Sequence, residues 1–331
     1  MAIYRLEAQI IGRKAKDRSG QPIPGREVSM LAKAAYRSGE KLKDERIDKT
    51  FNYASRSQEV VHSEIVAPED SPGWLQGASS RDMRERLWNT VERVEKRKDS
   101  QLAREFLPAL PVELSREGQI ELVRDWCRTE FADKGFVADF SIHQSKDGKN
   151  PHAHILVTTR PVDPDAPDGF GKKPDTAGKF NGRGSVGKGA KTDLDLWRES
   201  WEKQVNAALE RAGEEARVDR RSLKERKIDR EPEPKIGVHA QAMKKRGKEV
   251  DPERVRLARQ VKVENQVRSA IRDVTERGEV FQHGAGSTWW ERAQVAIGRF
   301  RERAGEFWRS EWSSRQAKEQ EDRDKEPDRS R

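Results

Sequence analysis

Three of the six histidines in this 331-residue chain, His143, His152 and His154, fall within twelve residues. His152 and His154 form a His-Ala-His triplet in a segment that reads as a strand. In an extended strand alternate side chains share a face, so His152, His154, Leu156 and Thr158 point one way. Ala153, Ile155 and Val157 point the other. A second extended segment, Phe136 to His143, precedes them across a turn at Gln144–Pro151. Antiparallel pairing through that turn sets His143 beside His152 or diagonal to it, on a face shared with Val137, Asp139 and Ser141. A lone histidine on a strand is usually a packed, hydrogen-bonded side chain. Three at this spacing, straddling one turn, read as a metal site that leaves coordination positions open for a substrate. Imidazole suits Zn, Mn, Ni and Cu alike, so the ligands do not name the ion.

An ion held by neutral imidazoles is a Lewis acid toward a phosphoryl or carbonyl oxygen, and something must then attack. The chain has three tyrosines, Tyr4, Tyr36 and Tyr53. Tyr4 alternates inward on the first strand and reads as packing, and Tyr53 stands in a polar segment without clear context. Tyr36 lies in Ala32-Lys33-Ala34-Ala35-Tyr36-Arg37-Ser38-Gly39, a helix of small residues that another backbone can approach closely. A phenol attacking a phosphodiester gives a covalent phosphotyrosine, which keeps the bond energy for rejoining. Lys33, about one turn before it, and Arg37, the next residue, are candidates to offset phosphate charge in that step.

The elements that must position these groups follow from periodicity. Met1 to Ile11 alternates polar and apolar residues and reads as a strand, as does Val60 to Val66. Residues 12–28 carry three glycines' worth of breaks with Pro22 and Pro24, and read as a loop. Ser29 can cap the Tyr36 helix, which ends at Gly39. Ser79 or Ser80 opens a helix with Met83, Leu87, Val91 and Val94 on one face. Ala103 to Leu110 reads as extended. Ser115 caps a helix that turns Ile120, Val123, Cys127 and Phe131 inward. A further amphipathic helix carries Leu194, Trp197, Trp201, Val205 and Leu209 and ends at Gly213. Strands and helices mixed without strict alternation define an α+β class, with helices packed on an antiparallel sheet. Beyond about Arg217 the chain reads as helical and polar, with helices expected at 251–278 and 288–310. The tail 313–331 holds six basic and six acidic residues without a large apolar side chain, and reads as disordered.

Composition excludes several classes. Hydrophobic residues make up 33% and charged residues 38% of the chain, against about 25% charged in ordinary domains, so part of the chain lies outside any core. No apolar run approaches the roughly 18 residues of a membrane span, and the start lacks the apolar block of a signal peptide. One cysteine, Cys127, rules out a disulfide framework and a thiolate zinc cage. The expected compartment is the cytoplasm. Of the net charge of +9, residues 169–192 hold a local excess of +5: Lys172, Lys173, Lys179, Arg183, Lys188 and Lys191 against Asp175. A basic glycine-rich loop near the histidines suits clamping of single-stranded DNA, with a solubilising linker as the alternative. Within it, Gly182 to Gly189 nearly spells a phosphate-binding loop. Gly189 stands where Ser or Thr must follow the lysine, and no strand precedes it, so nucleotide binding is rejected. Segment 214–250, with twelve basic and eight acidic residues, either extends the DNA surface or tethers. The Trp-rich helix at 288–312 is expected to pack on the domain, with self-association and docking of a transfer partner also open.

Taken in order, Tyr36 in a small-residue helix after a first strand, Ala103-Arg104-Glu105-Phe106 leading to Ala109-Leu110-Pro111, and His143 with Asn150-Pro151-His152-Ala153-His154 resemble the MobA/MobL plasmid mobilisation relaxases, which are HUH endonucleases. Arg220-Arg221-Ser222 and Ile228 to Pro232 resemble the end of that domain, so the resemblance covers about residues 1–235, followed by a helical region at 236–312 and the tail. It implies that Tyr36 is the strand-nicking nucleophile and that His143, His152 and His154 bind a divalent ion, Mg2+ or Mn2+ in use. It implies that Glu105 supports the site by orienting a histidine or helping to deprotonate the tyrosine. Leu107-Pro108 stands where many relatives carry an acidic and an aliphatic residue, which leaves Glu105 the sole acid there. Expected partners are plasmid DNA at an origin of transfer, relaxosome accessory proteins and a coupling protein. Tyr36 precedes the histidines, an order associated with relaxases rather than rolling-circle replication initiators. A non-catalytic DNA-binding accessory protein and a hydrolase using activated water are the readings from other classes.

Overall fold

The histidine hairpin forms the middle of a sheet. In a computed structural model, described over residues 3–16, 20–75, 80–144, 148, 150–174, 191–234, 243 and 252–281, strands β8 (Ala138–His143) and β9 (His152–Thr158) pair antiparallel. The other elements in chain order are β1 (Leu6–Gly12), β2 (Lys14–Lys16), β3 (Pro22–Glu27), α1 (Met30–Ser38), β4 (Lys41–Asp44), β5 (Lys49–Asn52), β6 (Val60–Val66), α2 (Ser80–Val94), β7 (Gln101–Pro108), α3 (Arg116–Glu130), α4 (Asp193–Arg211) and α5 (Pro252–Phe281). The main sheet has five strands in the order β1-β7-β9-β8-β6, and every neighbour pairs antiparallel. Every residue of β8 is buried, so both faces of the sheet are covered.

The alternation assigns one face to each helix pair. Phe106, Phe140, Ala153, Ile155 and Val157 pack with Leu122, Trp126 and Cys127 of α3 and with Trp197 and Trp201 of α4. Trp126 is the hub of that layer: its ring centroid lies 5.2 Å from Phe131 and 5.1 Å from Trp201, both edge-to-face. Such pairs add about 0.5–1.5 kcal/mol beyond burial. On the opposite face Ala103 and Leu156 pack with Met30, Leu31, Ala34 and Ala35 of α1 and Leu87 and Trp88 of α2. The histidines belong to this second face. There Asp139 accepts from Arg84 Nε at 2.9 Å and from Trp88 Nε1 at 2.8 Å, which fastens α2 to β8.

Local signals explain the helix starts. Ser29 Oγ accepts from Ala32 N at 3.1 Å, and Ser115 Oγ accepts from Gly118 N at 3.1 Å. Thr192 and Asp195 form a reciprocal capping box for α4. The structure departs from expectation at residues 12–28, which contain the hairpin β2–β3 rather than a loop alone. A second unforeseen hairpin pairs β4 with β5. The chain divides into two units, Met1–Arg221 and Ser222–Arg331. In the second, Asn265 of α5 exchanges hydrogen bonds with both backbone groups of Glu231. The expected helix at 288–310 and the tail 313–331 lie outside the described residues. No described helix is long and apolar enough to cross a membrane.

Because Trp126 is fully buried, Trp126→Ala is expected to destabilise the first unit by about 3–5 kcal/mol. A lowered urea midpoint measures this, and an unchanged midpoint contradicts the assigned core.

Candidate active site

The β8–β9 register places His143 directly opposite His152, and His154 opposite Ser141. The imidazole centroids are 5.7 Å apart for His143–His152, 4.9 Å for His143–His154 and 5.3 Å for His152–His154. One nitrogen from each ring lies within 4.8 Å of the others, the single grouping of this kind among the described residues.

Hydrogen bonds fix which nitrogen each ring leaves free. A backbone carbonyl can only accept, so a ring nitrogen bonded to one must carry its proton. His143 Nε2 donates to the Arg37 carbonyl at 2.5 Å, leaving Nδ1 with a lone pair. His152 Nδ1 donates to the Asn150 carbonyl at 2.9 Å, leaving Nε2. His154 Nδ1 meets Glu105 Oε1 at 3.1 Å, and an ionised carboxylate only accepts, so Nε2 is again left free. Burial lowers the pKa of His143 to about 4, helped by the charges of His154, His152 and Arg56 against the Arg37 carbonyl bond. Burial likewise lowers that of His152. Three imidazoles whose free nitrogens converge are the donor set a divalent ion requires, each ring binding in its neutral form.

Glu105, on β7, has no exposed surface. It accepts from His154, from Arg37 Nε at 2.5 Å and from Gln9 Nε2 at 2.5 Å. Burial opposes its charge, but the bonds and charges of His154 and Arg37 outweigh this and bring its pKa to about 2. The carboxylate orients His154; of the two roles the resemblance implied, the geometry serves this one.

Arg37 occupies a different place from the DNA contact expected of it. Its side chain is buried, with Nε on Glu105 and Nη1 on the Lys33 carbonyl at 3.0 Å. The prior that a helix cation faces solvent misleads here, because the residue's charge is spent on a carboxylate of the sheet. Tyr36, the preceding residue, is 39% exposed at the site. Its ring meets that of Tyr53 edge-on at 5.3 Å, and the Arg56 guanidinium carbon lies 3.8 Å from its centroid. Sequence reasoning missed Arg56 and Gln9. Arg56 lies in a polar stretch without periodicity, and Gln9 reads as one of the polar alternate positions of the first strand.

The other basic residues divide. Lys33 is partly buried, and burial with the Arg37 charge lowers its pKa although Glu105 opposes this. Lys172 is exposed. Lys173 turns back onto the domain, 2.8 Å from Glu95 Oε1 and 2.8 Å from the Gln101 carbonyl, rather than reaching outward. Lys191 pairs with Glu199 at the surface. Lys179, Arg183 and Lys188 lie outside the described residues.

Residues 28–246 match the MobA/MobL family. The chain belongs to the MobA/MobL family. Conjugal transfer protein TraA of Rhizobium radiobacter is 34% identical over 283 residues, covering 80% of this chain but 24% of that protein. This MobA/MobL chain thus spans about a quarter of the length of that relative. Mobilization protein MobL of Acidithiobacillus ferridurans is 31% identical over 301 residues, covering 84% of this chain and 72% of the relative. A solved structure described as the molecular basis of vancomycin resistance transfer in Staphylococcus aureus matches with a TM-score of 0.52 and 29% identity. It covers 67% of this chain and 100% of its own.

In this MobA/MobL chain Glu105→Gln keeps the shape of the carboxylate but removes its charge. It is expected to weaken Mn2+ binding about 10–100-fold, the usual effect of losing a histidine's outer partner. Titration calorimetry measures this. Equal affinities remove the orienting role.

Proposed function

We propose that the first unit is a relaxase: it nicks one DNA strand at a plasmid origin of transfer through a tyrosyl intermediate. The observation that carries this reading is a covalent neighbour relation. Tyr36 is bonded through its peptide to Arg37, whose carbonyl holds His143 and whose guanidinium holds the carboxylate that holds His154. An accessible phenol is thereby tied to two of the three converging imidazoles. The names of the TraA and MobL relatives support conjugal transfer and mobilisation as the setting.

In the proposed step the Tyr36 oxygen bonds to the scissile phosphorus and the bond from phosphorus to the 3′-oxygen breaks. The phenol proton leaves through solvent and the departing 3′-oxygen takes one up, so a 5′-phosphotyrosyl link and a free 3′-hydroxyl result. The reverse attack rejoins the strand. A divalent ion bound by His143, His152 and His154 supplies Lewis-acid polarisation of the phosphate. Imidazole donors suit Mn2+ better than Mg2+, which prefers oxygen ligands. Glu105 and Arg37 keep the donors aligned. Of the cations the sequence singled out, Lys33 and Lys172 are described and left to meet backbone phosphates, joined by Lys191 when its surface pair opens, and in this reading by Lys179, Arg183 and Lys188. The same reading places the relaxase domain over about residues 1–235 and its work in the cytoplasm. Its partners are origin-of-transfer DNA, relaxosome accessory proteins and a coupling protein.

The test is nicking of supercoiled plasmid carrying the cognate origin, in the presence of Mn2+. Tyr36→Phe is expected to form no covalent protein–DNA adduct. His152→Ala is expected to lose cleavage while retaining most DNA affinity. Cleavage that survives Tyr36→Phe points instead to activated water, and binding without any cleavage points to an accessory protein.

A further inference from the structure

The turn Ala54–Glu59 between β5 and β6 has no part in the site as the sequence reads it. In the structure it is attached on two sides. Tyr53 N donates to the Glu40 carbonyl at 3.0 Å, just past the end of α1, and Gln144 N donates to the Glu59 carbonyl at 3.2 Å, just past His143. Val60, the next residue, pairs with His143 itself. Contact with α1 is close because Gly39 carries no side chain: a Cβ there would stand 2.9 Å from Ser57 Cα, and its φ of +67° also favours glycine. The turn thus rests against both the C-terminus of the Tyr36 helix and the first metal-site strand.

This attachment sets Arg56 over Tyr36. The guanidinium lies over the ring, its carbon 3.8 Å from the centroid. Glu59 Oε2 accepts from Arg56 Nη2 at 2.6 Å and steadies the head group. Tyr53 closes another side of the ring. Within α1 the residues about one turn from Tyr36 are Ala32 and Lys33 before it and Gly39 after it, and the cationic and aromatic contacts to its ring come from outside the helix, from Arg56 and Tyr53. Those two contacts orient the phenol.

We infer that Arg56 is a positioning residue for Tyr36: it holds the phenol in one orientation beside the histidine cluster and sets a fixed positive charge against the attacking oxygen. The inference rests on the relaxase reading. As the new oxygen–phosphorus bond forms and the bond to the 3′-oxygen breaks, Arg56 stays protonated and gives up nothing. It favours the charge that the phenol oxygen carries when its proton departs. Arginine suits this better than lysine, because a planar guanidinium can lie on a ring while it bonds at the rim.

The experiment uses the full chain with Mn2+ and a single-stranded oligonucleotide spanning the nick site mapped with the wild type. Arg56→Ala is expected to slow single-turnover adduct formation about 10²-fold, with oligonucleotide affinity changed by less than about threefold. Arg56→Lys, which keeps the charge, is expected to recover part of the rate. A second readout needs no DNA: in protein labelled with 3-fluorotyrosine, the Tyr36 fluorine resonance, assigned through Tyr36→Phe, is expected to shift and narrow in Arg56→Ala. A rate within twofold of wild type overturns the inference. So does a loss that saturating oligonucleotide fully restores, since that describes a phosphate contact alone. If the wild type forms no adduct, the relaxase reading falls and takes the catalytic part of the inference with it, whereas a moved fluorine resonance then still identifies the ring contact.

Discussion

The ion pair between Arg37 and Glu105 is the interaction on which the arrangement of the site depends. A carboxylate with no exposed surface stays ionised only if donors replace the water it has lost. Glu105 has three such donors, on three elements: Arg37 from α1, Gln9 from β1 and His154 from β9. Desolvating two charges offsets much of what their attraction returns, so the pair is weak evidence for stability. Separating the partners is another matter, because a buried unpaired charge costs about 3–5 kcal/mol. Any slide or rotation of α1 against the sheet separates them. The pair therefore acts as a register pin, and the residue it pins is adjacent to Tyr36.

The pin works because the helix end is also bonded through its backbone. Carbonyls in the last turn of a helix lack partners within the helix. That of Arg37 finds one in the imidazole of His143. Reaching it requires α1 to lie close against the sheet, which Ala34 and Ala35, both buried to 1% exposure or less, permit. One residue therefore bears on two histidines, through its carbonyl on His143 and through Glu105 on His154. His152 is set separately, by the carbonyl of Asn150 in its own hairpin. Small residues in α1 read from the sequence as room for a foreign backbone; their first use is to admit the sheet.

Period-two alternation made the histidine hairpin legible, since residues on one face of β8 and β9 must converge whatever the flanking chain does. The four helices on the sheet were legible for the same kind of reason: an apolar stripe has to be covered. The hairpins β2–β3 and β4–β5 were not: β2, β3 and β5 mostly face solvent, and β4 turns only Leu42 and Asp44 inward, too short a run to read as a strand. Arg37 was misplaced because type and spacing do not say which cation finds a buried acid 68 positions along the chain. Glu105 could be singled out only through the family resemblance. Arg56 has no signal at all in its own segment, since what brings it to Tyr36 is a glycine seventeen residues earlier that lets two backbones touch.

The pairing of Arg37 also changes where the attraction for a phosphate must come from. Its charge cancels that of Glu105 within the protein, and Lys173 is similarly committed to Glu95. The excess of +9 read across the whole chain therefore overstates the field at the site. Among the described residues, the cations that still bear on the phenol and the imidazoles are Arg56, Arg5 and the partly buried Lys33, together with any divalent ion the imidazoles hold. Arg56 is shared with Glu59, and burial already disfavours the charged form of Lys33. A field supplied by so few groups is short-ranged and sharply placed at physiological salt, where the screening length is about 8 Å. Such a field discriminates one phosphate from its neighbours along the strand better than a broad basic surface would. In the relaxase reading, general affinity for DNA then falls to exposed lysines such as Lys172 and Lys191.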